Sequence, residues 1–130
     1  MKNILVLDDN KDFLDAMSTR LRSCLQSCNI LTASDGAHGK EILRSMHIDL
    51  VLTDLAMPLV DGYMLIEHAK KLYPSVPICA MTADCTSQVK DRLRSMGVRN
   101  WIEKPFKIEK LAHLIAQELK LESRTLHSEK

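Results

Sequence analysis

Short apolar runs alternate with segments of helical periodicity over most of this 130-residue chain. Apolar runs occur at five places, and each is followed by a segment in which apolar residues recur every three or four positions. Strands and helices that alternate in this way indicate repeated β-α units, which build a parallel sheet. Because the strands are almost continuously apolar, the pattern predicts an α/β fold with helices on both faces of a five-stranded sheet.

The predicted elements follow from these two periodicities. The predicted strands span residues 3–7, 29–33, 48–54, 76–81 and 99–104. The predicted helices span residues 11–28, 36–46, 61–72, 86–96 and 108–121. The pairs Asp35-Gly36 and Asp61-Gly62 could each form a hairpin turn, but the helical period that follows favours an aspartate cap on the next helix. We expect one domain over residues 1–121 and a polar C-terminal tail over residues 122–130.

Composition narrows the class of protein. Hydrophobic residues make up 45% of the chain and charged residues 27%, which suits a packed core. A net charge of +1 argues against a broad nucleic-acid-binding surface. No apolar run approaches the roughly 18 residues of a membrane-spanning helix, and the N-terminus lacks the pattern of a signal peptide. We therefore expect a cytoplasmic protein that binds neither nucleic acid nor membrane directly.

The cysteines give no sign of a disulfide framework or a zinc site. Cys24 and Cys28 would lie one turn apart on the predicted helix 11–28, a spacing that suits a disulfide poorly. Cys79 and Cys85 complete the set, and no C-x-x-C pair is present. We interpret all four as thiols of a protein in a reducing compartment.

Polar side chains stand where four of the predicted strands end. Asp8 and Asp9 follow the first strand, Asp54 ends the third, Thr82 follows the fourth and Lys104 ends the fifth. Ligands of open parallel sheets bind outside the carboxyl ends of the strands, where the strand order reverses. Each of these residues alone has an ordinary explanation, as a helix cap, a turn residue, a satisfied buried acid or a solvated lysine. Their joint position favours a functional site.

The residue types at these strand ends suit phosphoryl transfer. Two like charges 4 Å apart repel by roughly 4 kcal/mol at an effective dielectric constant near 20, so three carboxylates need a cation. Oxygen ligands without Cys or His select Mg²⁺, Ca²⁺ or Mn²⁺, and Mg²⁺ suits a sparse acid set that is shared with phosphate. A lysine can neutralise charge on an incoming phosphoryl group, a threonine hydroxyl can donate a hydrogen bond to it, and aspartate can accept it covalently.

Because the three carboxylates repel one another when no cation is bound, we also expect that replacing Asp8 or Asp9 with Asn stabilises the metal-free protein.

Four segments together resemble the receiver domain of two-component response regulators. They are LDDN (7–10), DLAMPLVDG (54–62), MTA (81–83) and EKPF (103–106). The resemblance covers about residues 1–120 and implies a flavodoxin-like, doubly wound sheet of strand order 2-1-3-4-5. It also implies a receiver in a phosphorelay that accepts a phosphoryl group from a sensor histidine kinase or a phosphotransfer protein, with no enzyme activity beyond its own phosphorylation and dephosphorylation.

The resemblance assigns roles by matched position. Asp54 would be the phosphoacceptor. Asp9 and Asp54 would bind Mg²⁺ directly (Mn²⁺ being a possible substitute), Asp8 would bind it through water, and the main-chain carbonyl of Ala56 would be a further ligand. Lys104 would pair with Asp54 or with its phosphoryl group.

The resemblance also implies a switch. Thr82 would hydrogen-bond the phosphoryl group, and Trp101 occupies the position of the family's mobile aromatic residue, which is usually Tyr or Phe. The peptide between Lys104 and Pro105 would be cis, although only about 5–6% of X-Pro bonds in folded proteins are. A downstream protein, or a second copy of the domain, would bind through residues 86–115.

Alternatives remain open at this point. A phosphatase of the haloacid dehalogenase type requires an acid two residues after the nucleophile, where this chain has Ala56. A flavin carrier would need a phosphate-binding loop in place of the acidic DDNKD segment, and GAHGK (36–40) is too short for a P-loop. A phosphorylation-independent interaction module is the main alternative, and Trp101 could be a static aromatic residue. No output domain can be recognised after residue 121, which suits either a stand-alone receiver or a fragment.

Overall fold

The computed structural model describes residues 1–57 and 61–121. The centre of the DLAMPLVDG segment and the predicted polar tail, residues 122–130, lie outside the described residues. Five strands and five helices alternate along the chain. The strands are β1 (Lys2–Leu7), β2 (Cys28–Ala33), β3 (Leu50–Asp54), β4 (Ile78–Thr82) and β5 (Asn100–Glu103). The helices are α1 (Lys11–Cys24), α2 (Gly36–Ser45), α3 (Gly62–Leu72), α4 (Ser87–Ser95) and α5 (Ile108–Leu119).

The strands form one parallel sheet in the order β2-β1-β3-β4-β5, which confirms the predicted fold and strand order. Strand β2 lies on one side of β1 and β3 lies on the other, so the strand order reverses at the neighbouring strands β1 and β3. The register sets Leu7 beside Thr53 and Asp54 beside Met81. Residues that follow β1, β3 and β4 therefore reach the same edge of the sheet.

The sheet separates two apolar cores. In β1, Ile4 and Val6 belong to the core that α1 and α5 cover, while Leu5 and Leu7 belong to the core beneath α2, α3 and α4. All four side chains are fully buried, and burial of such a side chain stabilises the fold by about 1.5–3 kcal/mol. Helices thus cover both faces, as the apolar strands predicted.

Helix α4 is the least anchored of the five helices. Of its nine residues, all of them described, Leu93 alone is buried. Val89 and Met96, just inside and just beyond the helix, are partly buried against the same core. By comparison, α5 buries five residues. We expect α4 to be the helix that moves at the smallest cost in lost apolar contact.

The two Asp-Gly pairs cap helices, as predicted, and do not form hairpins. The Asp35 side chain accepts a hydrogen bond of 2.7 Å from the amide of His38, and the Asp61 side chain accepts one of 2.9 Å from the amide of Met64. Each satisfies an amide that the first helical turn would leave unpaired.

The predicted end of the first helix was wrong. Helix α1 ends at Cys24, the chain turns at Gln26 and Ser27, and Cys28 opens β2 beside Lys2. Cys24 and Cys28 therefore do not share a helix, although both are buried free thiols. Apolar spacing continued through this turn because both residues point into the core that α1 and β2 share.

None of the helices in the described part of the chain combines the length and apolar character needed to cross a bilayer.

Candidate functional site

Three carboxylates meet at the carboxyl edge of the sheet. Asp8, Asp9 and Asp54 each offer an oxygen atom, and these atoms all lie within 4.8 Å of one another. Within residues 1–57 and 61–121, this is the one group of three or more carboxylate, imidazole or thiolate side chains close enough to share a metal ion. Asp8 is fully buried, Asp54 is 7% exposed, and Asp9 is open to solvent. The strand ends therefore place a buried acid pair beside an accessible acid.

The Lys104 ammonium reaches this cluster from the end of β5. Its Nζ atom lies 2.7 Å from Oδ2 of Asp8 and 3.4 Å from Oδ2 of Asp54. The resemblance to receiver domains implied pairing with Asp54, and the structure adds Asp8 as the nearer partner. The peptide between Lys104 and Pro105 is cis, as predicted.

Asp8 is held by both of its carboxylate oxygens. Oδ1 accepts a hydrogen bond of 3.0 Å from the amide of Asn10, and Oδ2 accepts the one from Lys104. Asn10 in turn caps α1 by accepting from the amide of Phe13 at 3.1 Å. Replacement of Asp8 with Asn would break a buried ion pair, so the expectation of a stabilised metal-free protein no longer applies to Asp8 and is kept for Asp9.

Burial and a neighbouring charge act on the Asp54 carboxyl group. Burial raises the pKa of Asp54, and the negative charge of Asp8 raises it further. The Lys104 ammonium and the amide of Ala56, which donates to Oδ1 at 3.4 Å, oppose this rise in the pKa. A second cation at the cluster would favour the ionised form that a nucleophile needs.

Thr82 lies at the end of β4, on the opposite side of β3 from Asp8. It is 5% exposed, and its hydroxyl oxygen accepts a hydrogen bond of 3.0 Å from the amide of Asp84. Its main-chain carbonyl accepts a hydrogen bond of 2.8 Å from the amide of Lys104. The hydroxyl and the ammonium predicted to contact a phosphoryl group are thus attached to neighbouring, hydrogen-bonded segments of backbone.

Two further residues fix the main chain at Asp54. The hydroxyl of Thr53, a fully buried residue, donates to the carbonyl of Asp54 at 2.9 Å. Gly62 packs its α-carbon against the same turn, because a β-carbon there would lie 2.6 Å from the α-carbon of Leu55 and closer still to the Asp54 carbonyl. Neither contact was predicted, because Asp61-Gly62 was interpreted as a turn or a helix cap and no signal in the sequence pointed to a role for Thr53.

Trp101 lies on β5 and is partly buried against the core beneath α4. The guanidinium group of Arg94 stacks over its ring at 5.2 Å from the centroid, and Arg94 is also paired with Asp91 at 3.2 Å. The structure thus places the predicted switch residue beside the least anchored helix.

Comparison with known proteins agrees with this geometry. The model of the response regulator receiver domain family matches residues 4–116. The chain is 32% identical to the sensor histidine kinase RcsC of Escherichia coli over 106 residues, which cover 82% of this chain and 11% of RcsC. It is 30% identical to the transcriptional regulatory protein GlrR of Escherichia coli K12 over 103 residues, which cover 79% of this chain and 23% of GlrR. The chain thus spans less than a quarter of the length of either relative.

Solved structures show the same fold. A receiver domain protein (CheY-like) from Methanospirillum hungatei JF-1 has a TM-score of 0.85 and 24% identity, covering 92% of this chain and 94% of its own. The chemotaxis protein CheY4 of Vibrio cholerae has a TM-score of 0.85 and 23% identity, covering 92% of this chain and 99% of its own. Because the family model matches most of the chain, and the fold agrees, the chain belongs to the response regulator receiver domain family.

Proposed function

We propose that residues 1–121 act as a phosphoacceptor receiver in a two-component phosphorelay. A sensor histidine kinase or a phosphotransfer protein would supply the phosphoryl group, and Asp54 would accept it. One observation carries this proposal: the nearly buried Asp54 carboxylate lies within metal-binding distance of Asp8 and Asp9 and 3.4 Å from the Lys104 ammonium. Apart from this phosphorylation and its reversal, we propose no enzyme activity.

The donor set fits Mg²⁺, which the receiver family typically binds. All three possible side-chain ligands are carboxylates, the hard oxygen donors that Mg²⁺ and Mn²⁺ prefer. We assign direct binding to Asp9 and Asp54 and to the main-chain carbonyl of Ala56. Asp8 already accepts hydrogen bonds on both oxygens, which supports its assignment to a contact through water. When bound, the metal neutralises charge on the phosphoryl oxygens.

The side chains of this site have separate tasks in the transfer. An oxygen of the Asp54 carboxylate attacks phosphorus and forms a new O–P bond, while the bond from phosphorus to the donor breaks and the donor keeps its electron pair. The Lys104 ammonium lies beside the Asp54 carboxylate, where it would neutralise negative charge on the incoming phosphoryl group. The Thr82 hydroxyl keeps its hydrogen free to donate, because in its contact with Asp84 it acts as the acceptor.

The proposal is tested by intact-mass spectrometry of the protein incubated with acetyl phosphate. We expect one phosphoryl group per chain with Mg²⁺ and none after the metal is removed with a chelator. Absence of uptake from acetyl phosphate and from a panel of histidine kinases would favour the alternative, a phosphorylation-independent interaction module.

Whether or not the protein is phosphorylated, we propose that a downstream protein or a second copy of the domain binds through residues 86–115.

Replacement of Asp9 with Asn is expected to raise the melting temperature of the metal-free protein and to reduce its response to Mg²⁺. The substitution removes a charge that repels Asp8 and Asp54, but it also removes a proposed metal ligand. Mg²⁺ at one hundred times its dissociation constant should stabilise the unchanged protein by about 2.7 kcal/mol. Thermal melts with and without Mg²⁺ measure both effects. A lower melting temperature of the metal-free variant would contradict the repulsion.

Trp101 fluorescence is expected to change when Asp54 is phosphorylated. Movement of Thr82 toward a phosphoryl oxygen would open space beneath the loop that leads to α4, and Trp101 is the large side chain beside that helix. Trp101 is the single tryptophan of the chain, so its emission needs no label. Hydrogen exchange over residues 82–106 should rise in parallel. Full phosphorylation with neither change would show that Trp101 is static.

A further inference from the structure

We infer that Phe13 is a positioning residue for Lys104: the face of its ring helps to hold the ammonium group at Asp8 and Asp54, and phosphoryl uptake depends on that face. This inference rests on the proposed function of Asp54. It adds to the site a residue that neither touches the phosphoryl group nor binds the metal.

The contact is a cation–π interaction at the edge of the acid cluster. Nζ of Lys104 lies 4.6 Å from the centroid of the Phe13 ring, within the range over which a ring face attracts a cation. The same atom is 2.7 Å from Asp8 and 3.4 Å from Asp54. The ammonium therefore has partners from the ends of β1 and β3 and from the first turn of α1.

The ring itself is held from two directions. The backbone amide of Phe13 donates to the capping side chain of Asn10, and this bond fixes the first turn of α1 shortly after Asp8 and Asp9. Phe106, two residues beyond Lys104, packs edge-on against the ring with 6.1 Å between centroids. Phe13 is thus located by the same turn that carries the acids and by the same loop that carries the lysine.

The arrangement has a direct electrostatic consequence. A lysine side chain has four rotatable carbon–carbon bonds and can leave a carboxylate for water at little cost. The Lys104 side chain is only 21% exposed, and the ring covers part of it without offering a competing hydrogen bond. Attraction between the ammonium and the two carboxylates is stronger where water is excluded. Loss of the ring face should therefore let the ammonium move away from Asp54.

A substitution series separates the ring face from simple packing. Phe13→Leu keeps an apolar side chain but has no π face, and Phe13→Tyr keeps the face. With acetyl phosphate and Mg²⁺, we expect Phe13→Leu to slow phosphoryl uptake by about threefold to tenfold and Phe13→Tyr to restore most of the rate. Tyr63→Leu is the matched control, because it removes the stacking of Arg92 over an aromatic ring, 3.7 Å from its centroid, without removing the ring that faces Lys104, and it should leave the rate unchanged.

Graded fluorination at position 13 tests the same claim without a change of shape. Fluorinated phenylalanines, inserted at this position alone, withdraw electron density from the ring face. We expect the rate of uptake to fall stepwise as fluorine atoms are added. A rate that does not depend on fluorination, or equal rates for Phe13→Leu and Phe13→Tyr, would overturn the inference.

A double-substitution cycle distinguishes this inference from the proposed function. In chemical denaturation, Phe13→Leu and Lys104→Met should destabilise the protein less together than the sum of their separate effects, because they remove the same contact. This measurement needs no phosphorylation. If the unchanged protein takes up no phosphoryl group, the proposed function fails while the cycle still tests the contact. Strictly additive effects would show that Phe13 and Lys104 act independently.

Discussion

Replacement of Asp54 with Asn is expected to abolish phosphoryl uptake from acetyl phosphate in the presence of Mg²⁺. The amide lacks the anionic oxygen that attacks phosphorus, and the loss should be complete because Asp54 is the nucleophile in the proposed transfer. The variant should remain folded, since burial and the charge of Asp8 raise the pKa of Asp54 and so make its ionised form unfavourable in the folded protein. Intact-mass spectrometry measures the result.

Asp61→Asn is the matched control for this experiment. It makes the same chemical change seven residues along the chain, at a helix cap where Asn and Asp serve about equally well. We expect unchanged uptake in this control. If Asp54→Asn gained the same mass as the unchanged protein, another residue would be the acceptor, and the assignment of Asp54 would be wrong.

Replacement of Lys104 with Met is expected to destabilise the metal-free protein and to slow phosphoryl uptake. Removal of one partner of a buried ion pair costs about 3–5 kcal/mol, and we expect about 2–3 kcal/mol here because the lysine side chain is one-fifth exposed. Loss of a group preorganised for developing charge lowers a rate by about 10²- to 10³-fold. Urea denaturation and the rate of mass gain measure the two effects.

Mg²⁺ provides an internal test of this prediction. A metal ion bound at Asp9 and Asp54 would also neutralise the charge of Asp8, so Mg²⁺ should reduce the stability difference between Lys104→Met and the unchanged protein. Lys107→Met is the control, because this exposed lysine makes no side-chain hydrogen bond at the start of α5. Equal destabilisation by the two substitutions would contradict the ion pair with Asp8.

The five-stranded parallel sheet was predictable because each strand carries its signal locally, whereas the strand order was implied by the resemblance to receiver domains. The apolar runs of β1 and β3 end in Asp8 and Asp54, and the chain has few ways to bury such runs other than a covered parallel sheet. The grouping of Asp8, Asp9 and Asp54 followed from the same topology, and the structure brings their carboxylate oxygens within 4.8 Å. The roles of these residues in phosphoryl transfer stay predictions.

Side-chain contacts between residues that are far apart in the sequence could not be predicted in this way. Lys104 and Asp8 are 96 positions apart, and nothing local to either residue shows that Asp8 is the nearer partner. The same holds for the ring of Phe13, to which the helical pattern of residues 11–28 assigned no role. The end of α1 was misplaced because Cys24, Leu25 and Cys28 continue a helical spacing, whereas pairing of Cys28 with Lys2 on β1 decides the structure.

The close contact at Gly62 separates two kinds of constraint on how this sequence can vary. At Asp54 the proposed constraint is chemical, because an isosteric amide should preserve the fold while it removes the proposed reactivity. At Gly62 the constraint is steric, because any β-carbon would collide with the backbone of Asp54 and Leu55. A descendant of this chain that lost Asp54 would still have to keep glycine at position 62. Glycine at position 62 is thus required by the shape of the turn, whereas aspartate at position 54 is required by the proposed phosphoryl transfer.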